Sequence, residues 1–152
     1  MKRICKDETG VVNFDKYFSY IESIKEKLPE AVYNYAVSYE HYNLSSHTSL
    51  HDAWLERYEI KEVVSDSRNE NRKIEIFVEF LGPFHDKRLK FHYKGVSQYS
   101  AEATDCLKGM GDINFHEFSK NEDDSIKHEF YFINGSVISV SFIDFEYQEL
   151  NV

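Results

Sequence analysis

Two periodicities divide the chain. Phe14, Tyr17, Phe18, Ile21, Ile24 and Leu28 recur every three or four positions, the spacing of one face of a helix. Asn13 or Asp15 can cap its start. Pro29 ends that helix and can open the next, where a missing N–H costs nothing. Val32, Tyr35, Ala36 and Tyr39 continue as a second apolar stripe, and the polar run from Asn43 to Ser49 leads out of the helices.

From Trp54 the period becomes two. Trp54, Tyr58, Ile60 and Val64 alternate with Arg57, Glu59 and Lys61, and the polar stretch Ser65–Arg72 reads as a turn or loop. Ile74, Ile76, Val78 and Phe80 then share one face of a strand, Gly82–Lys87 turns the chain, and Leu89, Phe91 and Tyr93 return. That turn pairs Phe80 with Leu89, Val78 with Phe91 and Ile76 with Tyr93, a register that gathers the apolar residues on one face. Residues 97–111 are less regular, with a helical turn or excursion over Ala101–Leu107 stopped by Gly109 and Gly111. Strands follow at Ile113–Phe118 and Ile126–Ile133. Asn134-Gly135 signals a hairpin with a type I′ turn, and Val137–Tyr147 forms one long final strand.

The pattern predicts an α+β fold in a single domain over residues 1–152. Two N-terminal helices (residues 1–48) pack on the aliphatic face of a mostly antiparallel meander of about six strands (residues 49–152), with scope to curl towards a barrel. The last hairpin carries apolar side chains on both faces, which predicts that it is central, curled or covered by a partner. Composition agrees with a strand-rich chain: Val, Ile, Phe and Tyr number 45 against 15 for Leu, Ala and Met.

Charge narrows the classes of function. The net charge is −9, and residues 101–152 carry 11 acidic and 3 basic side chains. Such an excess disfavours a phosphate-backbone binder and favours a basic protein partner. The start, Met-Lys-Arg-Ile-Cys-Lys-Asp-Glu, has no apolar run of a secretory signal, and no apolar stretch has the ~20 residues of a membrane span. Cys5 and Cys106 are too few for a disulfide framework. Together these predict a cytoplasmic protein that binds neither nucleic acid nor membrane.

The candidate chemistry is sparse. A five-residue loop over Lys120–Asp124 places His116 opposite His128 and Glu117 opposite Lys127, whereas a four-residue loop places Glu129 opposite His116. Two such imidazoles need a third ligand to hold zinc, and neither His92 nor Asp112 is placed there by the sequence, so no metal or other cofactor is assigned. His51-Asp52 is half of an acid–base unit only if the segment is a turn, because neighbours on a strand face opposite ways. Neither cysteine lies in a motif, no serine lies in Gly-x-Ser-x-Gly, and Gly109-Met110-Gly111 is not a phosphate loop. No catalytic residue is assigned. The candidate protein-binding residues are Asp112, Glu117, Glu122, Asp123 and Asp124 on the acidic last third, with Trp54 as either a core anchor or an exposed hot spot.

Several short segments carry a resemblance. Ser49-Leu50-His51-Asp52-Ala53-Trp54, Leu81-Gly82-Pro83-Phe84-His85-Asp86, Lys94-Gly95-Val96, Gly111-Asp112, His116-Glu117, His128-Glu129, Asn134-Gly135 and Asp144-Phe145 together resemble small uncharacterised bacterial proteins, some of which look like immunity proteins of polymorphic toxin systems. The resemblance covers about residues 49–147. It implies a cytosolic, non-catalytic inhibitor of a basic toxin and transfers no functional residue. A metal-dependent enzyme using the strand histidines, a small-ligand-binding protein and a homodimer are the alternatives.

Overall fold

A computed structural model describes residues 2–64, 66–68 and 70–152. The Ser65–Arg72 loop includes Ser65 and Asn69, which lie outside the described residues. A small hairpin opens the chain, β1 (Cys5–Lys6) and β2 (Val12–Asn13), followed by α1 (Asp15–Ser23), a 3-10 turn (Lys25–Lys27), α2 (Glu30–Ala36) and a second 3-10 turn (Tyr39–His41). Eight strands complete it: β3 (Trp54–Val64), β4 (Arg72–Leu81), β5 (Lys87–Lys94), β6 (Gln98–Glu102), β7 (Ile113–Lys120), β8 (Ile126–Phe132), β9 (Val137–Phe142) and β10 (Asp144–Asn151). They form two four-stranded sheets, ordered β10-β5-β4-β3 and β6-β9-β8-β7, in which every ladder is antiparallel.

This overturns the expected pair of helices on a single sheet. The protein is mostly β, with two short helices of nine and seven residues beside two facing sheets. Three local differences account for it. Residues 98–102 form β6, paired to β9, in a stretch expected to be irregular, and Ala101–Leu107 holds no helical turn. Val137–Tyr147 is not one strand, because it bends at Ile143 and passes from one sheet to the other. The Asn134-Gly135 turn is also of another type. Gly135 has φ +90°, but Asn134 is not among the non-glycine residues with positive φ, so the type I′ geometry is absent.

In its place a three-residue loop of Ile133, Asn134 and Gly135 is closed by Phe132 N–H donating to Ser136 O at 2.9 Å and Gly135 N–H donating to Phe132 O at 3.0 Å. The extra residue moves the register so that Phe130 faces Ile138. Phe130, Phe132, Ile138, Val140 and Phe142 thereby share the buried face, while Ser139 and Ser141 take the other. The hairpin expected to be apolar on both sides has an ordinary buried face.

The β4–β5 register is the expected one: Ile76 faces Tyr93, Val78 faces Phe91 and Phe80 faces Leu89. All six side chains are buried between the sheets. Phe80 and Phe91 meet Phe130 across the core at ring-centroid distances of 5.0 and 5.9 Å, and Tyr93 meets Phe142 at 4.9 Å.

The helices cover an edge of the second sheet, not the aliphatic face of one sheet. β7 is an edge strand, and its Phe118 and Lys120 N–H groups donate to the phenol oxygens of Tyr17 (3.2 Å) and Tyr20 (2.9 Å) on α1. Backbone donors that would otherwise template another strand are satisfied by side chains. From α2, Tyr35 packs its ring against Phe118 of one sheet and Phe145 and Tyr147 of the other, closing that flank of the core.

Two strands change sheet at one corner. β5 passes into β6 through Gly95 as β9 passes into β10 through Ile143, and a Cβ on Gly95 would lie 3.2 Å from Ile143 Cβ. Gly95 also has φ +62°. Gly109 has φ +79° but open space around it. Replacing either by alanine is expected to cost about 1 kcal/mol for the left-handed backbone. Gly95→Ala adds an overpacking cost of about 1–3 kcal/mol that Gly109→Ala does not. Urea unfolding of the two variants should therefore rank Gly95→Ala well below Gly109→Ala; equal midpoints would show that the corner is loosely packed.

Candidate functional site

Three of the segments that carry the resemblance meet at one end of the sandwich. Asp52 N–H donates to Ile113 O (2.9 Å) and Ile113 N–H to Ala53 O (3.0 Å), which docks the His51–Trp54 segment on the start of β7. The β4–β5 turn packs beside it, since a Cβ on Gly82 would lie 3.0 Å from His47 O. Side chains complete the junction. Trp54 Nε1 donates to Asp112 Oδ1 at 2.7 Å, and the indole lies 4.4 Å from the His85 ring. His47 stacks on Phe84 with ring centroids 4.2 Å apart and bonds Asp86 through Nδ1 at 2.6 Å.

The result is an aromatic surface held in place from below. Trp54 is 48% exposed and Phe84 50% exposed, so neither is a core residue. Asp112 bonds Trp54, Asp86 bonds the His47 that stacks on Phe84, Asp52 pairs with His51 in the segment leading to Trp54, and Lys108 lines the groove beside Trp54. Asp52 has φ +64°, so the segment is a turn, and that turn brings His51 Nδ1 to 3.0 Å from Asp52 Oδ1. Adjacent residues meet here because the backbone is not extended.

Between the sheets, a chain of polar groups crosses the core. Tyr93 Oη lies 2.7 Å from His128 Nδ1, His128 Nε2 lies 3.0 Å from His116 Nδ1, and His116 Nε2 lies 3.4 Å from His41 O. The backbone carbonyl can only accept, so His116 must carry its proton on Nε2. His116 Nδ1 then accepts from His128 Nε2–H, and His128 Nδ1 accepts from the Tyr93 hydroxyl. One assignment satisfies every group, and both imidazoles are neutral in it. Phe118 stacks on His128 at 3.7 Å and Tyr42 on His116 at 4.6 Å.

The histidines are therefore together, though not by the expected register. The β7–β8 loop runs from Asn121 to Ser125, which sets Phe118 opposite His128 and Glu117 opposite Glu129. Neither the five-residue nor the four-residue loop weighed from the sequence occurs in its expected place. His116 and His128 are diagonal neighbours on the inward face, and ring length closes the gap. Among the described residues no group of three or more His, Cys, Asp and Glu is placed to hold a metal ion.

The acidic candidates are dispersed. Glu117 is buried, and its carboxylate accepts the backbone N–H groups of Arg3 (2.6 Å) and Ile4, tying the N-terminal arm to the edge of β7. Glu122, Asp123 and Asp124 are exposed in the β7–β8 turn, where Asp123 accepts from Ser125 and Asp124 pairs with Lys120 at 2.6 Å. Asp112 sits at the other end of β7, about 26 Å away at the rise of an eight-residue strand. Further acids are paired locally, Glu129 with Lys127 and Glu146 with Lys94. Of the six candidates, Trp54 and Asp112 are the two that the fold brings into contact from distant positions, while Glu122, Asp123 and Asp124 are neighbours only by sequence. His47, Phe84, His85 and Asp86 are site residues that the sequence pattern did not single out; the Gly82-Pro83 turn is the signal that Phe84, His85 and Asp86 project from a loop, and His47 has none.

Comparison with known proteins adds no relative: no family model, curated protein or solved structure matches the chain. Among the described residues no helix is long and apolar enough to cross a membrane.

The buried chain makes stability depend on pH. Burial lowers His116 to about 3 and holds His128 well below the ordinary imidazole range, helped by the neighbouring His116; burial also lowers His41. Below about pH 6.5 the unfolded chain takes up protons at these histidines while the folded chain does not, so acid favours unfolding. Each imidazole held neutral costs about 1.4 kcal/mol per pH unit as the pH falls below that point. Glu117, raised by burial, works in the opposite direction near its own range. Urea midpoints should fall between pH 7 and pH 5, and the fall should be shallower in His128→Phe. A variant with the same slope as the parent would remove His128 from this account.

Proposed function

We propose that this protein is a binding module that docks a basic protein on the end of the sandwich formed by Trp54, Phe84, His85 and Asp112. The observation that carries this reading is the Trp54–Asp112 hydrogen bond, which holds a half-exposed indole upright beside a carboxylate. An exposed tryptophan contributes most to binding where its side chain is already ordered, because little rotamer freedom is lost on docking. An arginine of the partner fits both features, with its guanidinium over the indole face and its charge near Asp112, Asp86 and Asp52. The partner class agrees with the basic toxin that the resemblance implies, so inhibition of such a toxin is the role we assign. Association would be accelerated by the −9 net charge of the chain whether or not every acid touches the partner.

The test uses a basic protein retained from the native cell or encoded beside this gene, purified and titrated against variants. Trp54→Ala and Asp112→Lys should each weaken binding about 30-fold or more, the size of a hot-spot loss of about 2 kcal/mol. Charge reversal at Glu122, Asp123 and Asp124, about 26 Å away along β7, should change the affinity little. Unchanged affinity for Trp54→Ala, or a large loss on reversing the 122–124 turn, would overturn the assignment of this face.

A further inference from the structure

A cavity of about 660 Å³ opens between the β1–β2 hairpin, the Tyr39–Ser45 segment and the first residues of β7. Its volume falls within the ~300–1,000 Å³ typical of small-molecule sites. Ile4, Val12, Phe14, Leu44 and Phe115 supply apolar walls. The floor is the stacked pair of Tyr42 and His116, whose ring planes are 9° apart. The hairpin wall is not a loose flap, because Glu117 anchors the backbone of Arg3 and Ile4 and the Lys2 ammonium sits 4.5 Å from the centre of the Tyr131 ring.

The charge of the lining is unlike that of the chain. Of 152 residues, 27 are acidic, yet none of the 17 described residues that line the cavity is Asp or Glu. Lys6 is the one side chain among them with a fixed positive charge. His116 and His41 also face the space, and burial keeps both in the neutral form around pH 7. His51 stands at the rim with its Nδ1 next to Asp52. An apolar chamber with a cation at its wall and no lining carboxylate is complementary to a molecule with an apolar body and one negative charge.

We propose that this cavity is a binding site for an apolar organic monocarboxylate, whose hydrocarbon body lies over the Tyr42–His116 floor and whose carboxylate pairs with Lys6. The site does not depend on the docking surface at Trp54. Decanoate, decanol and decylamine, each below its micellar concentration, separate charge from hydrophobicity in calorimetric titrations of the full chain. Decanoate should bind saturably at one per chain and at least tenfold more tightly than decanol or decylamine. Lys6→Glu should remove that preference, with at least tenfold loss for decanoate and little change for decanol. Val11→Trp, at a rim position that is 61% exposed, should weaken decanoate and decanol alike by filling the mouth. Equal affinity for decanoate and decanol, retention of decanoate affinity in Lys6→Glu, or no saturable binding of any of the three would overturn the proposal. Should Val11→Trp fail to fold, Lys6→Glu, at an exposed position, decides the matter alone.

Discussion

The bend at Ile143 is the constraint on which the rest of the structure depends. One long antiparallel ladder runs through both sheets, with Asp144 opposite Lys94 in the first and Ser141 opposite Gln98 in the second. At the corner Ile143 N–H donates to Lys94 O (3.1 Å) and Ser97 N–H to Ser141 O (2.9 Å), so the ladder turns while its backbone groups stay paired. Ile143 itself is 67% exposed and serves as the residue that the bend consumes. Before it, Ile138, Val140 and Phe142 point inwards; after it, Phe145 does. An unbroken strand would send Phe145 to the surface, because alternation has a period of two. The bend lets one continuous run of chain supply β9 to one sheet and β10 to the other, so that the two sheets face each other over one core, as in corner-joined sandwiches.

The polar chain from Tyr93 to the His41 carbonyl uses that core as a dry scaffold. Each donor has one acceptor, and reversing any proton would leave a buried group unpaired at a cost of about 1–3 kcal/mol. The chain links β5, β8, β7 and the segment after α2, four parts of the molecule that aromatic packing alone could hold in several arrangements. Its histidines thus position structure and are not available as ligands. The same polar chain passes through His116 on the floor of the 660 Å³ cavity, so the shape of that floor is set from the core side.

Legibility in the sequence followed the turns. The Gly82–Lys87 turn has strong punctuation, and its register, strands and buried face could be read directly. Asn134-Gly135 marked a hairpin correctly but concealed one extra residue, and that single residue changed which side chains share a face. The β7–β8 loop was displaced by the same kind of small error, which turned a directly opposed histidine pair into a diagonal one. Long-range features left no local trace. Nothing around Ile143 announces a change of sheet, and nothing around Glu117 shows that its carboxylate will meet Arg3 and Ile4. Likewise, Trp54 and Asp112 could be chosen separately as binding residues, but their contact depends on backbone pairing between Ala53 and Ile113.

The anchor at Glu117 has a consequence for how the molecule is made. The first residues of the chain bond to a side chain 113 and 114 positions later. At ~5–20 residues per second, the ribosome takes several seconds or more to synthesise that stretch. Until then the N-terminal arm has no carboxylate to accept its amides, and α1 has no strand edge for Tyr17 and Tyr20 to cover. Arg3 and Ile4 are therefore synthesised well before the side chain that holds them. Such distant pairing slows folding through the loop entropy it must overcome. A chain cut short before β7 would keep the Tyr35–Phe91 contact of α2 but leave Tyr17 and Tyr20 of α1 without the strand edge they cover, a natural handle for the cell's quality control.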